Sequence, residues 1–348
     1  MAYGSGLSAQ LGFAAETTVG TAVTVTKFFE FLDEGIQFTP TWLRGQGLKA
    51  GQAYSRVSRV AQSRLMVAGD VNMEHADRGG MGLLWKHCLG SAATAVQIST
   101  STAYQQIHIP GSSGKVGLGL TCQVGRPQTD GTVRPHTYSG VKVVGWEFSC
   151  SDNEIAKLKL TLDGWNEATA TALASASYTA GAGVFSFEDA STFTLGGTAS
   201  TGGSPSMITI TTGTAVSTLV KGVTITGSTP LATERFGLGN AGVKREQIDN
   251  GFPTVQIKLD AEYTQRTELY DLLKANTTTA FQLDFSQSDA GSTNPFRLSF
   301  IAPACKVLEG APTVNGPDLV QSSYTLEAFD DGTNAPFQVR IVSTDTTL

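Results

Sequence analysis

Charged residues are scarce. Asp, Glu, Lys and Arg make up 16% of the 348 residues, against about 25% in an ordinary soluble chain. So thinly charged a surface suits a protein largely covered by other chains. Basic residues are the rarer sign, 24 Lys and Arg against 30 Asp and Glu, for a net charge of −6. That argues against a broad basic face gripping nucleic acid, because phosphate binding needs clustered Lys and Arg. No apolar run reaches the length of a membrane-spanning helix, about 18 residues. Residues 1–6 lack the basic-then-apolar pattern of a secretory leader. Cys88, Cys122, Cys150 and Cys305 lie far apart, with no Cys-x-x-Cys pair. They read as small buried hydrophobes of a chain made in a reducing compartment.

Reactive motifs are scarce too. Residues 4–9 (GSGLSA) fit a loose dinucleotide spelling, but no strand precedes them. Residues 114–119 (GKVGLG) lack the Walker spacing and read as a turn leading into a strand. No Gly-x-Ser-x-Gly elbow occurs. His75, His87, His108 and His136 form no His-x-x-x-His pair, and adjacent His87 and Cys88 point about 100° apart on a helix. His75 and Asp77, after Glu74, read as groups that cap or solvate a strand–helix junction. No catalytic set, metal site or cofactor is expected.

What remains is strand after short strand. Runs at 24–31, 66–74, 105–109, 116–124, 141–149 and 155–162 alternate apolar and polar residues between Gly, Pro, Asn, Asp and Ser. So do 184–187, 208–211, 223–226, 255–263, 281–285, 296–301 and 323–329. This pattern predicts a mainly β sandwich or barrel. Two short helices interrupt it, over 77–89 (Met81, Leu84, Trp85 and Cys88 on one stripe, Asp77 as N-cap, Gly90 as stop) and over 265–275 (Leu269, Leu272 and Leu273, Thr264 as N-cap).

Both helices follow a strand and precede another, and the two contexts share a register. Val67/Val255, Glu74/Glu262, Arg78/Arg266, Leu84/Leu272 and Lys86/Lys274 are identical at one offset (262 − 74 = 188). This points to an internal duplication: a first lobe over 1–166, a small-residue linker over 167–183 and a second lobe over 184–348. A further low-complexity tract spans 196–206.

One segment breaks the acidic trend. Arg44, Lys49, Arg56, Arg59 and Arg64 occur with no Asp or Glu from 43 to 69. A long irregular loop over 43–64 inside a compact lobe is usually functional. Its basic excess suits an acidic neighbour, so these five residues are expected to contact another subunit.

The order of segments resembles a known family. Residues 9–21 (AQLGFAAETTVGT) with 28–31 (FFEF), 79–90 (GGMGLLWKHCLG), Gly125-Arg126, 138–143 (YSGVKV) and 248–262 resemble the major tail tube proteins of long, flexible-tailed bacteriophages of actinobacteria. The resemblance covers most of the chain and departs at 167–183 and 196–206. It implies two tandem tail-tube-type β-sandwich lobes, each with one short helix, whose inner sheets join neighbours into rings that stack into a tube. Such a protein is a structural virion protein of the tail, assembled in the host cytoplasm, with no catalytic residues. Its partners are itself, tail terminator and tail-tip proteins. Tape measure protein and then double-stranded DNA pass through the lumen without sequence-specific binding. Two copies of the fold per chain imply a trimeric ring with pseudo-sixfold symmetry. At 3 × −6 = −18 charges, such a ring would repel phosphate.

Strand alternation gives candidate lumen residues. Asp70, Asn72 and Glu74 share one face of the first copy's strand, and Lys258, Asp260 and Glu262 one face of the second's. These polar faces either line the lumen or meet solvent or a neighbour; the alternation leaves both open. The competing class is a surface β-sandwich binding or adhesin module. It would show clustered aromatics or Asp-rich calcium runs; aromatics are only 8% and no such run occurs.

Overall fold

The computed structural model describes residues 4–291, 293–314 and 316–348; the first three residues of the opening stretch 1–6 lie outside it. The protein is mainly β, with two α-helices among the described residues. Its principal strands are β1 (Gln10–Glu16), β2 (Gln37–Arg44), β3 (Val60–Glu74), β4 (Tyr104–Pro110), β5 (Gly119–Pro127), β6 (Val133–Ser151), β7 (Lys157–Gly164) and β8 (Asn166–Ala168). They continue with β9 (Ala190–Leu195), β10 (Val220–Ser228), β11 (Thr254–Glu262), β12 (Thr279–Gly291), β13 (Asn294–Glu309), β14 (Gln321–Ala328) and β15 (Gln338–Ser343). Helix α1 (Met81–Leu89) follows β3, and α2 (Tyr270–Ala275) follows β11.

One antiparallel sheet runs β2–β3–β7–β6–β10–β11–β14–β13. Its centre is the β6–β10 pairing, where Trp146 opposes Gly227 and Phe148 opposes Ile225. Two further strand groups complete the fold, β1–β5–β6–β8 and β9–β12–β13–β15–β4. The long strands β6 and β13 each belong to both layers. Each leaves one partner and takes another along its length.

The pairings recur along the chain. Strand β1 pairs β5 as β9 pairs β12. The β2–β3 hairpin matches β10–β11, β5–β6 matches β12–β13, β6–β7 matches β13–β14, and β6–β8 matches β13–β15. Strand β4 has no counterpart, because only 276–278 separate α2 from β12 while fourteen residues separate α1 from β4.

Alternation explains the core. Val67, Val71 and Met73 of β3, Leu158, Leu160 and Leu162 of β7, and Ile257 and Leu259 of β11 are buried in one apolar cluster with Phe13, Leu120, Phe285 and Phe300 of the other layers. All four cysteines are buried and free, as expected.

The helices are shorter than their stripes suggest. Gly80 in the left-handed region, not Asp77, precedes α1, and left-handed Gly90 ends it. Helix α2 begins after Leu269 rather than at 265, and Asn276 ends it in the left-handed region. Trp85 makes α1 a core element: its indole Nε1 donates to His75 Nε2 at 2.8 Å. His75 therefore carries its proton on Nδ1, which donates to the Ala76 carbonyl at 3.0 Å. It is fully buried rather than solvating the junction.

The tract 167–183 is largely exposed but tethered rather than free. Gln10 donates to the Ala174 carbonyl at 2.8 Å and Gln123 to that of Ala172 at 3.0 Å. The expected run at 184–187 forms only isolated bridges, Ala76 with Val184 and Ile155 with Ser186. In the tract 196–206, residues 198–202 pair with Met207–Thr211 as a two-stranded ribbon.

Candidate assembly surfaces

The candidate lumen residues come together on one face of the eight-stranded sheet. Asn72 opposes Lys159, Lys159 opposes Glu147, Glu147 opposes Thr226, Thr226 opposes Gln256, and Gln256 opposes Glu327. Asp70 and Glu74 flank that row on β3, and Lys258, Asp260 and Glu262 lie on the same face of β11, where alternate residues are less buried. The face is mixed in charge rather than acidic throughout. Lys159 pairs with Asp70 at 2.9 Å, Lys258 with Asp260 at 3.5 Å, and Lys221 with Glu262 at 2.7 Å. Burial pulls the Asp70 carboxyl up, but hydrogen bonds from Lys159 and Thr161 with the Lys159 charge outweigh it, leaving it below the usual carboxylate range.

The basic segment is smaller as a loop than its sequence suggests. Leu43, Arg44 and 60–64 belong to the β2–β3 hairpin, with Arg44 opposite Val60, so the irregular part is 45–59. Arg44, Lys49 and Arg59 are exposed and Arg56 is half-buried. Their side chains have no ion pair or hydrogen bond among the described residues. Arg64 differs: it pairs with Glu234 of the same chain at 2.7 Å and lies over the Phe236 ring, 4.7 Å from its centre.

Sequence reasoning missed a buried polar site, where the β10–β11 connection (229–253) lies across β6 and β7. Lys244 is fully buried and its Nζ lies 2.6 Å from Asp163 Oδ1. Gln247, also buried, donates to Asp163 Oδ2 at 2.7 Å and accepts from Trp165 Nε1 at 2.8 Å. Lys142 Nζ reaches Glu246 Oε1 at 2.7 Å and the carbonyls of Lys115 and Gln247. Lys115 donates through Nζ to the Val143 carbonyl at 2.7 Å. Burial pushes the Asp163 carboxyl up against the pull of Lys244 and Gln247, and pushes Lys115 down to about 8. The signal was present as mixed charge (Lys244, Arg245, Glu246, Asp249) in an aperiodic stretch. The acceptors on β7 and β6 could not be paired with it without the register.

Among the described residues no group of His, Cys, Asp and Glu could hold a metal ion. No helix among the described residues is long and apolar enough to cross a membrane.

A family model for phage tail tube proteins matches residues 6–328. The chain belongs to the phage tail tube protein family. It is thus a structural component of the virion tail, and this kind of protein assembles with itself into the tube. No curated protein matches the chain. Nothing in these findings favours the adhesin alternative.

Proposed function

We propose that three copies of this chain close into one ring of the tail tube, and that rings stack into the conduit for the genome. One observation carries this reading. The β6–β10 pairing joins two matching sets of four strands, while the edges at either end of the same sheet are open. Among the described residues, strand β2 pairs only with β3, and the end of β13, from Lys306 to Glu309, only with β14. Repeating the β6–β10 junction between copies at the same offsets sets the chain from Glu309 onward beside the start of the next chain's β2, and closed rings leave no edge exposed.

The lobes of this reading are 1–166 and 184–348, with 167–183 between them. The face bearing Asp70, Asn72, Glu74, Lys258, Asp260 and Glu262 lines the lumen. Its interleaved lysines and carboxylates give phosphate no continuous basic track, so DNA slides rather than sticks. The partners are the tail terminator and tail-tip proteins at the ends of the tube and tape measure protein, then double-stranded DNA, inside it. No chemistry is performed.

Electron microscopy of the concentrated protein tests this. Rings or tubes with three chains around the axis are expected. Six chains per ring, or monomers at all concentrations, would overturn it.

A further inference from the structure

The connection 229–253 docks on β6 and β7 through named contacts, and the register carries each member of that site onto the second strand set. Asp163 lies between Ala68 and Lys142 in its row; the matching row runs Gln256, Glu327, Lys306. The offsets agree, 327 − 163 = 164 and 306 − 142 = 164. The irregularity between Val143 and Gly145 recurs between Val307 and Glu309, again at 164. At that offset Trp165 becomes Phe329. The Phe329 N–H donates to the Ala304 carbonyl much as that of Trp165 donates to Ser139. Counted back from β11 and β3, Lys244 and Gln247 become Arg56 and Arg59 (244 − 56 = 188, 247 − 59 = 188).

The geometry points to a docking site for a second copy of this chain on β13 and β14, in which Arg56 of that copy pairs with Glu327 and Arg59 covers Phe329. The inference rests on the ring reading and names the contact that would hold neighbouring copies together.

The chemistry on both sides fits. Arg56 and Arg59 lack side-chain partners, as described above. Phe329 is 39% exposed, whereas its counterpart Trp165 is engaged by Gln247. Glu327 has only Gln256 as a hydrogen-bond partner among the described residues, at 3.1 Å. Exposed carboxylates lie nearby along the strands, Glu309 opposite Thr325 and Asp330 and Asp331 just beyond β14, whereas the segment 43–69 has no acidic residue of its own. Leu48, Tyr54 and Val57 are about nine-tenths exposed or more at the tip of that segment, apolar surface that docking would cover. One substitution weakens the copied site: Ser58 stands where Glu246 holds Lys142 (246 − 58 = 188), so Lys306 would reach only carbonyls. The joint between copies is thus looser than the joint within one, as suits an interface that forms after folding.

The test compares the wild type with R56E, E327R and the R56E/E327R pair by sedimentation of assembled protein, with melting of the dissociated chain as the folding control. Each single reversal is expected to lower the sedimenting fraction by about tenfold or more, since like charges then face each other at every joint, and the pair to restore it. Single variants that assemble normally, or a pair that does not recover, overturn the contact. A wild type that never assembles would sink the ring reading itself. Independently, R56C/E327C in assembled tubes should give oxidised products that stop at three chains; the native cysteines are buried and give no background. Absence of these products, or a ladder extending beyond three, overturns the placement within the ring.

Discussion

Lys244 and Asp163 meet 2.6 Å apart at the centre of the chain, the ammonium fully buried and the carboxylate nearly so. A buried pair of this kind stabilises little relative to apolar packing, but losing one partner strands the other charge. Lys244→Met alone should lower unfolding free energy by about 3–5 kcal/mol, and K244M/D163L should recover much of that loss. Urea unfolding of the four proteins in a double-mutant cycle measures it.

Acid should destabilise the folded chain from a higher pH than carboxylates alone predict. Burial holds His75 down to about 4 and His87 and His108 to about 3. The unfolded chain binds these protons near pH 6.5. Between pH 6.5 and the folded values it binds more protons than the folded chain. Stability is therefore complete above that range and falls as pH drops, by at most about 1.4 kcal/mol per histidine per unit. Melting temperatures from pH 7 to 5 should decline. His108→Leu should flatten the slope, because neither ring nitrogen of His108 has a hydrogen-bond partner among the described residues.

Arg126 ties β5 to the segment leading into β2. It donates through Nε and Nη2 to both oxygens of Glu34, at 2.9 and 2.8 Å, and through Nη2 to the Ile36 carbonyl at 2.6 Å. The paired carboxylate raises the guanidinium's already high proton affinity. Lysine cannot reproduce that fork. Arg126→Lys should cost about 1–3 kcal/mol by thermal unfolding, and a loss below about 0.5 kcal/mol would show that the fork contributes little.

Charge reversal on the sheet face should affect transport rather than assembly. With Asp70, Glu74, Asp260 and Glu262 all replaced by Lys, ion pairs such as Lys159–Asp70 are lost and the face becomes strongly basic. Tubes should still form, since these pairs are exposed and contribute about 0–1 kcal/mol each. Particles carrying them should release DNA more slowly, and more so at low salt. Unchanged ejection kinetics would count against the lumen placement.

Periodicity revealed the strands that alternate and missed those that do not. Strand β11 alternates strictly (VQIKLDA) and was visible within one residue. Strand β1 is buried along most of its length, so LGFAA carries no period-two signal. Strand β2 is exposed along most of its length, so its end at Leu43 and Arg44 has the same pattern as the loop that follows. The single-face candidates of β3 and β11 were legible because alternation fixes which residues share a side. The Lys244 site was not, because its members come from segments about eighty to a hundred residues apart, and only the register brings them together.

The pairing of β4 with β15 sets Val339 opposite His108. A ribosome makes these strands more than two hundred residues apart. The first half of the chain must wait with an open edge until nearly all the rest has been synthesised. So long a loop closure is slow to find. The sheet cannot be completed on a partial product, and a truncated chain stalled before residue 338 would lack the strand that seals it.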